Sequence, residues 1–206
     1  MAYNKNTPFN DLPNLPPDDF TESSIILRHL AKAARYLGEL EGLCASLPDP
    51  QLLINTIVLQ ESKDSSAIEN IVTTQDELYK AATEEGTTSL AAKEVLSYRE
   101  ALYVGLEKMK AQKNLLLTNT MVEIVQTIKQ NESGIRNTPG TALKNAINGE
   151  VIYTPPCCEA VLREKLAALE QFINDPDSSG LDPLVKMAFI HYQFEAIHPF
   201  SDGNGR

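Results

Sequence analysis

An all-α fold, mainly helical with one small β-hairpin, is what this chain predicts. Apolar residues recur at helical spacing along most of its length. Ser/Thr-x-x-Glu start signals fall at Ser66/Glu69 and Thr74/Glu77. A single stretch, Asn148-Gly149 followed by Val151-Ile152-Tyr153, reads as a turn and strand. With 206 residues and 42% hydrophobic content, the chain has the makings of one large or two small soluble domains.

Taken in order, residues 4–17 carry Pro8, Pro13, Pro16 and Pro17 and predict an extended arm on the surface. From about 21 to 47 the positions Ile25, Ile26, Leu30, Ala33, Leu37 and Leu40 mark a helix, which Pro48-Asp49-Pro50 ends. A second helix, about 51–62, carries Leu52, Leu53, Ile57, Val58 and Leu59. Short helices follow from the two capping signals. Helices of roughly 89–112 and 118–130 come next, the first with Val95, Leu96, Leu102, Leu106 and Met109 on one face. The chain loosens around 131–140. Asn148-Gly149 suits a type I′ hairpin turn and Pro155-Pro156 stops the strand after it. Helices of about 158–174 and 181–196 close the chain, separated by Asp175 to Gly180. Tyr192 and Phe194 are expected in the core, His29 and His191 on helix surfaces or in packing.

A net charge of −10 argues against wholesale binding of a nucleic-acid backbone, which needs clustered Lys and Arg. Backbone dipoles can still bind a local anion without net positive charge. Three cysteines, Cys44, Cys157 and Cys158, make neither a disulfide framework nor a zinc site and point to a reducing compartment. Residues 1–17 do not have the make-up of a signal peptide, and no apolar run reaches the ~20 residues that span a bilayer. The expectation is a cytoplasmic protein with no membrane partner.

The chemistry is concentrated in Ile197-His198-Pro199-Phe200-Ser201-Asp202-Gly203-Asn204-Gly205-Arg206. Pro199 ends a helix at His198, a side chain able to accept a proton near neutral pH. Phe200 is the expected apolar anchor of the loop. Gly203 and Gly205 allow successive N–H groups to turn toward one point, and a helix starting near Asn204 would add its dipole. Asp202 is an oxygen ligand suited to Mg²⁺, and Arg206 can hold a phosphate oxygen. Together these residues fit transfer of a phosphate-containing group to a hydroxyl.

Residues 198–206 resemble the signature of Fic domains, His-x-Phe-x-Asp/Glu-Gly-Asn-Gly-Arg-x-x-Arg, up to the first arginine. Leu47-Pro48-Asp49-Pro50, Ser65 to Asn70 and Thr73-Thr74 resemble the region that precedes many bacterial Fic domains. The resemblance implies an extended arm over 1–20, a helical region over 21–112 with an inhibitory motif, and a Fic domain over 113–206 that is incomplete at its C-terminal end. It implies a protein adenylyltransferase, or AMPylator, with ATP and Mg²⁺ as substrate and cofactor, moving AMP to a Ser, Thr or Tyr hydroxyl of a target protein. His198 would be the general base and Asp202 the metal ligand. Gly203, Asn204, Gly205 and Arg206 would hold the phosphates.

Ser65-x-x-x-Glu69-Asn70 resembles the family's inhibitory motif, whose glutamate pairs with the signature's second arginine and blocks the γ-phosphate. Ser66 and Glu69 as a simple capping box is the alternative. Some family members with this glutamate also remove AMP, which would give Glu69 a hydrolytic role. Asn148, Gly149, Val151, Ile152 and Tyr153 correspond in position to the flap that registers a target segment. Two alternatives stay open: a Fic enzyme moving phosphate, UMP or phosphocholine, and a non-catalytic regulatory or interaction fragment. Residues 1–206 alone are expected to show little or no transfer, and homo-oligomerisation is left open.

Overall fold

The computed structural model describes residues 4–83, 89–176 and 180–205. Among them, helices α1 (Ser24–Ala45), α2 (Pro50–Ile68), α3 (Gln75–Thr83), α4 (Leu90–Ala111) and α5 (Thr118–Lys129) lead to the short strands β1 (Leu143–Lys144) and β2 (Val151–Tyr153). Helices α6 (Glu159–Asn174) and α7 (Pro183–Ile197) follow. Residues 177–179 of the last linker and Arg206 lie outside the described residues. No described helix is long and apolar enough to cross a membrane.

Polar side chains set the helix ends. Ser23, Ser89 and Asp182 accept from the N–H groups of Ile26, Ala92 and Leu184, starting α1, α4 and α7. At α3 the capping box is reciprocal: Thr74 Oγ1 accepts from the Glu77 N–H at 3.2 Å, and Glu77 Oε2 from the Thr74 N–H at 3.0 Å. The expected box at Ser66/Glu69 is not a helix start. Helix α2 continues through Ser66, which is fully buried with an unpartnered Oγ, and ends only at Ile68. No Gly or Pro interrupts residues 51–69, so the helix has no reason to stop at 62.

It stops at Asn70. That residue has φ 64, its N–H donates to Ala67 O at 3.1 Å, and the Ile71 N–H donates to Ser66 O at 3.0 Å. These two bonds form a Schellman cap, with asparagine in the left-handed position usually given to glycine. The cap fixes Glu69 as the last residue before the chain turns away.

Helices α2, α3 and α4 share a small core of Leu59, Leu78, Ala92 and Val95. Helices α4 and α5 pack closely, with Tyr98, Ala101 and Ile128 between them. The buried face of α4 is Ala92, Val95, Tyr98, Ala101 and Gly105. Of the expected face, Val95 is buried, but Leu102 and Leu106 are exposed, because small residues let α5 approach more closely than leucines would. The larger core, Met121, Val125, Leu162, Leu166, Leu169, Ile197 and Phe200, joins α5, α6 and α7 to the terminal loop.

The N-terminal arm does more than lie on the surface. Leu12 is buried in the larger core, and Gln193 Nε2 donates to Pro13 O at 2.8 Å. The Phe9 N–H donates to Thr154 O at 3.1 Å, just after β2. A chain with prolines has few N–H groups to satisfy, so it can be stitched over a core by a few bonds.

The hairpin is antiparallel with a register shift, Leu143 opposite Tyr153 and Lys144 opposite Val151. Its connection runs over residues 145–150 and is not a two-residue type I′ turn. Gly149 has φ 71, but Asn148 does not take a positive φ, and Asn145 organises the loop instead. The Asn145 N–H donates to Glu150 O at 2.8 Å, and its Oδ1 accepts from the Ile147 N–H at 2.8 Å.

Helix α1 has no buried residue. Its first half lies across a cavity of about 610 Å³ from α7, bounded by Phe20, Leu30 and Phe189. Leu37 and Leu40 in the second half are exposed. Tyr192, expected in the core, is 68% exposed, whereas Phe194 packs against the larger core. On α7 the fully inward positions are Gln193 and Ile197, one helical turn apart, and Tyr192 is rotated away from them.

Candidate active site

Helix α7 carries Ile197 into the core and releases His198 in a left-handed conformation, φ 50 and ψ 59. The His198 N–H still reaches Phe194 O at 2.9 Å, and Pro199, lacking an N–H, prevents another turn. The conformation costs a residue with a Cβ about 1 kcal/mol, though histidine visits it more readily than most. The carbonyls this stop exposes are taken up by other parts of the chain. Tyr153 Oη from β2 donates to Ala196 O at 2.8 Å. Arg136, only 4% exposed, donates from Nε to His198 O at 2.7 Å. Its Nη2 donates to Pro156 O at 2.5 Å and Ile197 O at 3.4 Å, and its backbone N–H to Pro199 O at 2.9 Å.

Beyond Pro199 the loop is braced from inside. Phe200 is buried, its ring centroid 6.2 Å from that of Phe194. The Asn204 carboxamide is buried too. Its Oδ1 accepts from the Phe200 N–H, and its Nδ2 donates to Phe200 O, both at 2.8 Å. Gly203 has φ 86, and a Cβ there would stand 3.3 Å from Val125 Cγ2, so conformation and space both call for glycine. Gly205, expected to need the same freedom, does not take a positive φ, and a helix starting near Asn204 would lie outside the described residues.

Both loop amides hold carboxylate oxygen. The Gly203 N–H donates to Asp202 Oδ1 at 2.8 Å. The Gly205 N–H donates to Glu69 Oε1 at 3.1 Å, which brings the end of α2 onto the loop from 136 positions away. Asp202 Oδ2 accepts from Lys129 Nζ at 2.6 Å, and Lys129 also bonds Glu94 at 2.9 Å, linking α4, α5 and the loop. Burial opposes the charge on Lys129, but the hydrogen bonds to Asp202 and Glu94 outweigh it and raise its proton affinity.

Burial, then the nearby Arg136 charge, push the His198 imidazole below the ordinary histidine range; the Glu195 backbone pulls the other way. The ring is therefore neutral at neutral pH, and its Nδ1 is buried with no hydrogen-bond partner. Burial pushes the Glu195 carboxyl up, against the pull of His191 and with a push from Glu69.

The structure thus brings His198, Asp202, Gly203, Asn204, Gly205 and Glu69 into one place. Arg206 is outside the described residues. Ser65 turns back into α2, donating to Glu61 at 2.7 Å, and Asn70 serves as the cap that aims Glu69. On the hairpin, Tyr153 touches the site through Ala196 O, Ile152 is 57% exposed and Val151 is half-buried. Asn148 and Gly149 lie at the far tip. Sequence reasoning missed Arg136, Lys129 and Glu94. Nothing in the order of residues distinguishes them from surface charges; only the fold puts them under the loop. Among the described residues no cluster of three or more His, Cys, Asp or Glu side chains forms a ready metal site.

A histidine at a helix end, a glycine loop braced by its own asparagine and a carboxylate reaching in from a separate helix make up the loop. Residues 27–107 match the family model described as Fic/DOC family N-terminal, and residues 115–206 that described as Fic/DOC family. The chain belongs to the Fic/DOC family. Over 54 residues it is 43% identical to protein adenylyltransferase fic-1 of Caenorhabditis briggsae, covering 26% of this chain and 10% of that protein. A Fic family protein from Desulfovibrio desulfuricans superposes with a TM-score of 0.67 at 21% identity, covering 93% of this chain and 57% of that one. Fic-1 of Caenorhabditis elegans (residues 134–508) gives 0.61 at 18%, covering 91% and 60%. The chain therefore spans a tenth of the curated relative and less than two thirds of these solved structures.

Proposed function

We propose that the chain carries the catalytic loop of a protein adenylyltransferase, which moves AMP from ATP to a hydroxyl side chain of a target protein and is held inactive by Glu69. The observation that supports this best is the Gly205 N–H holding a carboxylate: the loop amide already binds an anionic oxygen, and the one it binds comes from the end of α2. His198, held neutral, takes the proton of the acceptor hydroxyl. The hydroxyl oxygen then bonds to the α-phosphorus as the bond to pyrophosphate breaks.

Asp202 offers one hard oxygen ligand, which fits Mg²⁺ completed by substrate phosphates and not a cage built by the protein alone. Bound there, the ion would neutralise phosphate charge and orient the leaving group. Asn204 contributes by keeping the loop in shape, since its carboxamide is committed to Phe200. Arg206 would hold phosphate charge. The exposed Ile152 of β2 faces an incoming target segment. Glu69 blocks the site while it occupies the Gly205 N–H, and the same carboxylate could orient water for AMP removal.

Incorporation of label from the α-phosphate of ATP into protein tests the reading. In a longer chain that carries the signature's second arginine, Glu69→Gly should raise auto-modification, and adding His198→Ala should lower it about 10²–10⁴-fold. Label no higher in Glu69→Gly than in the parent, or undiminished without His198, would refute it. A transfer of label from the γ-phosphate instead would point to phosphorylation.

A further inference from the structure

We propose that Arg136 is the positioning residue of this site: its guanidinium grips the carbonyls of Ile197 and His198 and its own N–H that of Pro199, and so it fixes His198 beside a buried positive charge. The inference rests on His198 being the reacting base, but it concerns a residue on a loop that neither strand nor helix controls.

The geometry carries it. Arg136 makes four bonds to backbone carbonyls, three of them to 197–199 and one to Pro156 at the exit of the hairpin. The planar guanidinium suits this task, because its donors point in fixed directions and a lysine's would not. Carbonyls at the end of a helix carry partial negative charge, so a cation there is favoured twice over. His198 is held in a left-handed conformation that it would not keep unaided, and the bond to its own carbonyl is the 2.7 Å one. Tyr153 adds the neighbouring Ala196 carbonyl, so the hairpin and Arg136 hold the end of α7 together.

Among the described residues Arg136 has no acidic hydrogen-bond partner, and that distinguishes it from an ordinary structural arginine. Its charge is left to act on what lies nearby. The titratable and charged groups linked to His198 are Arg136, on which Cys157 after the hairpin and Tyr153 on β2 act, and the adjoining Glu195 on α7, on which His191 and Glu69 act. Of these, Arg136 is the one whose charge lowers the His198 proton affinity; Cys157 and Tyr153 act on Arg136. A base that must be unprotonated to work benefits from such a neighbour.

The chain has three histidines, so imidazole NMR titration reads His198 directly, with His29 and His191 as internal controls and His198→Asn to assign its signal. In Arg136→Met the His198 midpoint should move up while the other two stay put. Arg136→Lys, which keeps the charge but not the fork, should bring the midpoint back toward the parent and restore only part of the activity. In active protein, Arg136→Met should lower kcat about 10²-fold with KM for ATP little changed, and shift the acid limb of the rate profile to higher pH. A His198 midpoint that stays put or falls in folded Arg136→Met overturns the proposal. Should that variant not fold, a Lys variant with parental midpoint and full kcat overturns it instead. Absence of AMP transfer in a longer Glu69→Gly chain that carries the signature's second arginine would sink the functional reading and leave the titration to decide this one.

Discussion

His198 concentrates several demands on one residue. It closes α7 without a glycine, tolerates a left-handed backbone, and keeps a ring nitrogen buried without a partner. Each has a cost, and unpaired buried polar atoms in native proteins call for an explanation. A depressed folded-state proton affinity has a thermodynamic signature whose sign is fixed. The unfolded chain, with an ordinary histidine near 6.5, binds a proton more readily than the folded one. The His198 contribution is therefore nil above about pH 6.5 and turns against folding as pH falls below it. The loss of denaturant midpoint between pH 7.5 and 5.5 should be smaller in His198→Asn than in the parent. Equal losses in the two proteins would mean that His198 is not the group responsible. Asparagine is the choice because it accepts the left-handed conformation.

At the level of elements, the end of α2 is the joint that matters. The Schellman cap at Asn70 sets the direction in which Glu69 leaves the helix, and Glu69 meets the Gly205 N–H. The asparagine after Glu69 thus has a backbone cause: φ 64 is open to glycine and asparagine and strained for others. Asn70→Ala should lower stability by about 1 kcal/mol, whereas Asn70→Gly should leave it near parental, as urea midpoints will show. Legibility follows the same line. The capping box at Thr74 was visible because all its partners lie within four residues. The competing box at Ser66 had the right letters, but α2 had no breaker and simply continued. Which face of α4 is buried was not visible either, since Leu102 is as apolar as Ala101 and only the approach of α5 favours the smaller residue. The site shows the same split. His198 through Gly205 stand in a row and could be read as one unit, while Arg136, Lys129 and Glu94 reach it only through folding.

Across the whole molecule, stability and site are supported by different parts. The core of α5, α6 and α7 includes Ile197 and Phe200, so the residues on either side of His198 are anchored in the best-packed region. Helix α1 shares little of it, with Leu37 54% and Leu40 49% exposed. Leu166→Ala, at 1% exposure, should cost about 2–5 kcal/mol, whereas Leu37→Ala and Leu40→Ala should each fall within about 0.5 kcal/mol of the parent. Urea denaturation of the three variants checks this. A large loss at Leu37 or Leu40 would mean that the α1 face is covered in solution.

The sequence alone determined the helical class and the hairpin, because each is written in spacing that local backbone geometry reads directly, and residues 198–206 carried the resemblance to the family. Tertiary structure alone decided that a carboxylate from α2 occupies the loop amide, that Lys129 holds Asp202, and that a buried arginine grips the carbonyls around the histidine. Those contacts join residues between about 60 and 140 positions apart, where no periodicity or turn rule reaches. Close packing of distant elements, and not local preference, fixes which charges meet.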